Sequence, residues 1–418
     1  MKKKLIAVIF TAALTLGVFT PITLLADEIT VTIDGITVDF EDLLPLIIND
    51  RAFVPIRTVF EALGFDVDWV HDTQTVVVST PTLTGRGIPR QVEGVAVLPG
   101  PNSIDAGSVA AMVIKDDGSL WNFRDVNHPY HIMDDVIAVS FGITSTFAIT
   151  SDGRLWGWGR NVHGQLGDGT TIDRENPVHI MDDVIAVSAT SSFTLAITSD
   201  GKLWGWGNNG SGMLIDGPFI RHPIPIHIMD DVIAVSTACE TAMVITSDNQ
   251  LWGWGTNNSG QLGDGTRIWR ESPVHIMDNV VAVYVSNIGT LTSDFTMAIT
   301  SDGKLWGWGS GTHNRLAGPP SSNSPILIMD DVVAVSAGLF HVMAITSDGG
   351  LWGWGGNHQG QLTDYAISGF RRPVRIMDDV AAVSAGGSRT IAVRSDGSLW
   401  VWGAINWEIV DYEEEEDR

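Results

Sequence analysis

Leu203-Trp204-Gly205-Trp206-Gly207 alternates bulky and minimal residues at the two-residue period of a β-strand. That period places both tryptophans on one sheet face and Leu203 with the glycines on the other. Upstream, the Asp200-Gly201 turn separates this strand from Phe193 to Thr198, and a further short strand covers Val184 to Ser188. Downstream, a long polar loop leads to a fourth strand, Ile224 to Met229. The stretch reads as four short antiparallel strands with turn signals between them.

The same unit recurs along most of the chain. Leu-Trp pairs stand at Leu120, Leu155, Leu203, Leu251, Leu305, Leu351 and Leu399, mostly 46 to 54 residues apart. A second marker, Ile-Met-Asp-Asp/Asn-Val, begins at Ile132, Ile180, Ile228, Ile276, Ile328 and Ile376, and the degenerate run Gln91 to Val95 supplies a seventh. A fixed period of this size signals a stacked or radial array. Seven units of four strands predict a closed, seven-bladed β-propeller, which leaves few exposed sheet edges. A linear β-solenoid is disfavoured by the chain ends of the array. Ile88 to Gln91 reads as a fourth strand without predecessors, and the last unit stops after its third strand at Trp402, so the early strand completes the last blade. Thirteen of the 16 tryptophans occupy the repeated positions, which assigns them to packing. Burying one removes roughly 150 to 250 Å² from water, about 4 to 6 kcal/mol as an upper figure.

Composition agrees with a large folded core. The chain has 418 residues, 44% of them hydrophobic and only 17% charged. Lys and Arg number 24 against 49 Asp and Glu, a net charge of −25, which opposes nucleic acid as a partner because phosphate binding needs a basic surface. A single cysteine, Cys239, rules out an intrachain disulfide and a thiolate metal site.

The run from Leu155 to Thr170, Leu-Trp-Gly-Trp-Gly-Arg-Asn-Val-His-Gly-Gln-Leu-Gly-Asp-Gly-Thr, preceded by Val136 to Ser140 and Ala148 to Gly153, resembles the regulator of chromosome condensation repeat. Gly260 to Thr266 repeats the loop in full and Gly360 to Leu362 in part. The resemblance covers roughly residues 85 to 405 of a propeller domain placed at 81–405, and implies a seven-bladed propeller, in agreement with the count of units. The first unit lacks the Gly-Gln-Leu-Gly loop and the fifth reads Asn314-Arg315-Leu316-Ala317, so those two blades are expected to be shortened or distorted at one rim.

Ahead of the array the pattern differs. Lys2 to Lys4, an apolar run from Leu5 to Val18, the Thr20-Pro21 breaker and Leu24-Leu25-Ala26 before Asp27 have the order of a secretory signal peptide over residues 1–26. Leu24 is large for its position, so an uncleaved anchor is the alternative, and membrane attachment is expected only through that segment. Residues 27–80 read as three hairpins around a helix opening at Pro55 and ending at Gly64, a small α+β domain. Asp50 to Arg57, Glu61 to Phe65 and Val67-Asp68-Trp69 resemble the copper amine oxidase N-terminal-like, or stalk, domain of secreted Gram-positive proteins. The resemblance implies a spacer on an extracellular bacterial protein, and with one histidine, His71, it carries no copper site. Residues 406–418 form an acidic tail.

Catalytic chemistry has no foothold in the motifs. Like positions in a ring lie a whole blade apart, so the Asp-Asp pairs cannot converge on one ion and are read as turn caps. His131, His179, His227 and His275 share one strand position and are spread round the perimeter. No nucleophile triad, phosphate loop or zinc helix motif occurs. The expectation is a non-enzyme with no catalytic residue, no metal and no cofactor.

Strand geometry divides the molecule into two faces. One carries the recurrent turns, with 11 Asp in the Ile-Met-Asp motifs and 7 in the Asp-Gly/Asn turns, and is expected to be acidic and uniform. The other carries nearly all differences between units, and its Phe141, Phe219, Glu240, Trp269, Phe340, His341, Phe370 and Arg371 are the candidate partner-binding residues. The reading is an exported or cell-surface propeller, held off the envelope by the stalk domain, that binds a protein through this variable face. Carbohydrate, recognised by Trp269 and the loop aromatics, is the other partner class considered. A branch of the family inhibits secreted β-lactamases, and this chain resembles it in export and acidity, an analogy at the level of the fold; guanine-nucleotide exchange would need a cytosolic GTPase and is opposed by the export signal.

Overall fold

The structure, a computed structural model, describes six short strands within residues 32–79 and the chain from 89 to 404, apart from 99–102, 108–110, 124–128, 143, 211, 215–220, 239, 287–293 and 364–367. The chain divides into two compact units, Met1–Leu83 and Thr84–Arg418. In the first, Thr32–Ile33 pairs with Ile36–Thr37, Leu46–Ile48 with Arg51–Phe53, and Asp66–Val70 with Thr75–Ser79, all antiparallel. These are the three hairpins predicted from the turn residues. The signal segment, the helix at Pro55 and the acidic tail fall outside the described residues.

The second unit is seven four-stranded antiparallel sheets in chain order. Blade 3 illustrates them, with strands Val184–Ala189, Phe193–Thr198, Leu203–Asn208 and Arg221–Met229. The fourth strand starts earlier than the apolar pattern suggests, because a register shift between Gly205 and Gly207 lets His222 and Arg221 pair with Gly207 and Asn208. The first strands of the blades are Ile104–Ala106, Val136–Phe141, Val184–Ala189, Val232–Ala238, Val280–Val285, Val332–Ala337 and Val380–Gly386. Each approaches the next, and the last approaches the first, so they form the innermost ring. Blade 7 is completed by Arg90–Ala96, which pairs with Ser398–Gly403 through Ser398 opposite Ala96 and Trp400 opposite Gln91. The chain closes the ring with its own early strand, as the unpaired Ile88 to Gln91 segment predicts.

The period-two pattern of the Leu-Trp strand explains the core. Trp206 and, partly buried, Trp204 pack backward onto Phe147, Ile149, Leu155 and Leu166 of blade 2. Leu203 points the other way and packs with Phe193, Leu195 and Ile197 against Trp254 of blade 4. Repeated round the ring, this gives seven apolar layers, one per blade junction, and the layer containing Val401, Leu399, Ile104 and Val113 joins the last blade to the first. The glycines between the tryptophans make the approach feasible. A Cβ on Gly205 would lie 2.7 Å from Leu214 and 2.8 Å from Leu195, and Gly207 has φ +103°, a region open to glycine.

Two sets of hydrogen bonds tie blade to blade. The indole Nε1–H of Trp206 donates to the carbonyl of Gln165 at 2.8 Å, Trp254 to Met213 at 2.9 Å, Trp308 to Gln261 at 2.8 Å and Trp354 to Arg315 at 2.8 Å, each reaching the long loop of the preceding blade. On the innermost ring, the Oγ of Ser188 accepts from the Thr237 N–H at 3.0 Å, Ser236 from Val285 at 2.9 Å, Ser336 from Ala385 at 3.0 Å and Ser384 from Ala106 at 2.9 Å. Asp105 takes the serine position in blade 1, where its carboxylate accepts from the Phe141 N–H at 2.7 Å. Tyr284 takes it in blade 5, and its hydroxyl donates to the Ala337 carbonyl.

The two departing units are distorted as expected. In blade 1 the third strand shrinks to Leu120–Asn122 and the fourth to Tyr130–Met133. In blade 5 a single 3-10 turn, Thr312–Asn314, replaces the Gly-Gln-Leu start, with His313 at φ 59°.

Candidate partner-binding surface

The connections between strands one and two and between strands three and four emerge on one side, here termed the loop face. The remaining turns emerge on the opposite, turn face. The loop face is built on an internally bonded platform. In blade 2 the buried Asn161 donates from Nδ2 to Asp168 at 2.9 Å and to the Thr170 carbonyl at 3.1 Å, while its Oδ1 accepts from the Leu166 N–H at 2.9 Å. Blade 4 repeats this with Asn257, Asp264, Thr266 and Leu262 at 3.0, 3.2 and 3.0 Å. Arg174 and Arg270 bond the two aspartates through Nε at 2.7 and 2.8 Å. Burial pulls the Asp168 and Asp264 carboxyls upward, but bonds from the threonine, arginine and asparagine prevail and the net shift is downward, so both stay charged.

One position breaks the symmetry of these sister loops. In blade 2 Asp173 accepts the Asn161 N–H at 2.7 Å and so closes the loop. The corresponding residue in blade 4 is Trp269, whose side chain is 43% exposed beside the exposed Ile268. Thr266 Oγ1 holds the Ile268 N–H at 3.2 Å, and Arg267 donates through Nε to Asn323 of blade 5 at 3.0 Å. The aromatic therefore sits on a loop fixed on both sides and has surrendered the structural role its counterpart plays.

The other predicted residues are dispersed. Phe340, half-buried, meets the ring of His313 edge-on at 4.8 Å, and Arg315 donates through Nη1 to the neighbouring Leu339 carbonyl at 3.1 Å. Burial holds His313 below the usual imidazole range, with Arg315 and His358 adding to the shift. Phe370 is also half-buried, pairs with Gly355 and packs against the layers on both sides of blade 6, while Arg371 is exposed. Glu240 turns its carbonyl to the Thr256 N–H at 2.7 Å in the same blade as Trp269. Phe141 is bound to Asp105 on the inner ring and packs between blades 1 and 2. Phe219 falls outside the described residues.

His341 is a correction. It is fully buried, with Nε2 2.8 Å from the Thr390 hydroxyl of blade 7, and burial pushes its imidazole down to about 3. As the first residue of a second strand, sandwiched between two blades, it belongs to the core even though its sequence neighbours form a loop. Ile268 and His313 escaped the sequence reading. Comparison of the internal copies would not have singled out Ile268, because its counterpart Ile172 is the same residue and equally exposed.

Arg315 also replaces a repeated residue, since glutamine stands there at Gln165, Gln261 and Gln361. Its guanidinium lies over the Phe295 ring, 4.6 Å from the centroid. Asp294, equally buried, is raised to about 7 by burial against the opposing pull of Arg315.

The turn face is lined with exposed Asp-Asp turns whose second residue has φ of 59 to 64° from Asp135 to Asp379. The turn-cap reading of these pairs agrees with that geometry, because Asp and Asn tolerate left-handed backbone. The perimeter histidines stack edge-on against the first tryptophan of the adjacent third strand of their own blade at 5.4 to 5.6 Å. Each places Nε2 2.8 to 3.0 Å from the first aspartate of its turn. Among the described residues no three His, Cys, Asp or Glu side chains are grouped to hold a metal ion.

Closed on itself with four strands in each of seven sectors, the second unit is a seven-bladed β-propeller. Two family models described as the regulator of chromosome condensation (RCC1) repeat match it, one over residues 152–197, 248–287 and 302–345 and the other over 136–165, 184–212, 332–361 and 380–406. Residues 32–85 match the copper amine oxidase N-terminal domain. That segment holds one histidine and no cysteine or methionine, a donor set that does not fit copper. No curated protein matches the chain. Among solved structures, human WBSCR16 is 19% identical with a TM-score of 0.60, over 77% of this chain and 90% of that one. Yeast RCC1 (Prp20), bound to Kap60, is 16% identical with a TM-score of 0.57, over 77% and 83%. Identities this low establish the shared fold alone.

Proposed function

We propose that the propeller is a non-catalytic binding module that recognises a protein through its loop face, on an exported or surface-displayed chain spaced by the N-terminal domain. The observation that carries the reading is Trp269. Tryptophan is over-represented among residues that dominate protein interfaces, and here it is exposed on a loop already rigid before any partner arrives, so little ordering entropy opposes association. The net charge of −25 over the whole chain opposes nucleic acid as the partner.

The test compares the full chain with Trp269→Ala and Ile268→Ser. Proteins captured from culture supernatant and envelope extract are identified, and their affinities measured individually. Loss of at least tenfold in affinity for a captured protein in both variants supports the reading, whereas equal affinity of wild type and variants removes the loop-face assignment. A glycan array run in parallel addresses the carbohydrate reading, favoured by the same exposed indole. Glycan binding abolished by Trp269→Ala, without any protein ligand, would replace protein recognition.

A further inference from the structure

The turn face is expected to be uniformly acidic, yet it carries a second feature. At the start of the innermost strands of blades 2 to 7 the ladder is bulged, as between Val136 and Ala138, Val184 and Ala186, and Val232 and Ala234. The skipped residue is an exposed branched aliphatic: Ile137, Ile185 and Ile233 are 53%, 51% and 46% exposed, and Val281 and Val333 are similar. Scattered exposed aliphatics are ordinary. These are not scattered, because they occupy one position on innermost strands that adjoin one another, and so stand side by side on the turn face. A bulged, unpacked position requires no apolar side chain, so the blade fold does not account for the choice.

The charges beside them are unequal. In blades 2, 3 and 4 the residue two places earlier is Asp135, Asp183 or Asp231, exposed and without a side-chain partner among the described residues. In blade 5 it is Asn279; in blade 6 Asp331 accepts from the Ser347 hydroxyl at 2.7 Å; in blade 7 Asp379 lies 3.9 Å from Arg394, and the aliphatic shrinks to Ala381. One sector of the ring thus pairs three aliphatics with three uncompensated carboxylates.

We infer that the Ile137–Ile185–Ile233 sector of the turn face is a docking site for a cationic amphipathic protein segment, one that sets an aliphatic ridge on the isoleucines and lysine or arginine against Asp135, Asp183 and Asp231. Charge complementarity selects this occupant. A second copy would bring identical carboxylates face to face, and an anionic membrane would be repelled.

The test uses the full chain and a synthetic 14-residue amphipathic helix of leucine and lysine, with a lysine-serine and a leucine-glutamate peptide as controls. Wild type is expected to bind the leucine-lysine peptide and not the leucine-glutamate one. The Ile137→Ser, Ile185→Ser, Ile233→Ser variant should bind it at least tenfold more weakly. Asp135→Asn, Asp183→Asn, Asp231→Asn should also lose at least tenfold, and Asn279 shows that the turn accepts asparagine. Trp269→Ala should bind as wild type, which separates this face from the loop face. Binding kept within twofold by either triple variant, equal binding of the lysine-serine peptide, no detectable wild-type binding at millimolar peptide, or binding only to phosphatidylcholine vesicles would each overturn the inference.

Discussion

Asp105 shows how one substitution in a repeated position changes the physics of the whole ring. Most of its counterparts on the inner strands are neutral serines, four of which accept a neighbouring N–H, and a carboxylate can do the same. Enclosure among the innermost strands raises its pKa from 3.8 to about 6, against the opposing bonds from Phe141 and Ser384. Below pH 4 folded and unfolded chains both hold the proton; between pH 4 and about 6 only the folded chain keeps it, so this residue's contribution to stability is lost as pH rises through that window. Asp105→Asn removes the titration. Denaturation midpoints of the two proteins should diverge on going from pH 4 to pH 7 in the variant's favour, by up to about 3 kcal/mol for a shift of roughly two pKa units. Parallel curves would show that Asp105 does not titrate in this range.

Among the elements, the inter-blade turn carries a split role within one dipeptide. The first aspartate pairs with an exposed histidine or arginine, as Asp182 does with His179 at 3.0 Å, and exposed pairs of this kind add little. The second supplies the left-handed corner, as Asp183 does at φ 62°, and ties the turn to the inner hairpin of blade 3 because its carbonyl accepts the Ser199 N–H at 2.7 Å. Asp183→Ala should therefore cost about 1 to 2 kcal/mol, Asp183→Gly close to nothing, and Asp182→Ala less than about 1 kcal/mol, measured by urea unfolding. Equal losses for Asp182→Ala and Asp183→Ala would deny the corner its conformational role. The turn was legible in the sequence, since Asp-Asp before a β-branched strand has few other uses. The bulge that follows it was not, because Val-Ile-Ala-Val-Ser reads as regular strand until the register is seen.

For the whole molecule, stability rests on closure. Seven apolar layers alternate with seven sheets, and Arg90–Ala96 completes the final blade and packs Val92 and Val95 against the layer that joins it to the first. Deleting Arg90–Ala96 from the full chain would expose the edge of Ser398–Gly403 and open the junction that buries Val401 and Ile104. The thermal midpoint is expected to fall by several °C or more, with concentration-dependent association through the bare edge. An unchanged midpoint and a monomer at all concentrations would mean that the strand is dispensable for closure.

The sequence by itself determined the number of sectors, the strand order within each, the closing strand and the packing role of thirteen tryptophans. All of these follow from periodicity, and a period repeated seven times leaves little freedom in how apolar faces can be buried. Tertiary structure alone decided which individual side chains reach solvent. His341 opens a strand beside a loop and Trp269 ends a loop beside a strand, yet one is sealed between two blades and the other is 43% exposed. Exposure at a single position depends on what the neighbouring sheet brings against it, and the neighbour lies about fifty residues away along the chain, outside any local pattern.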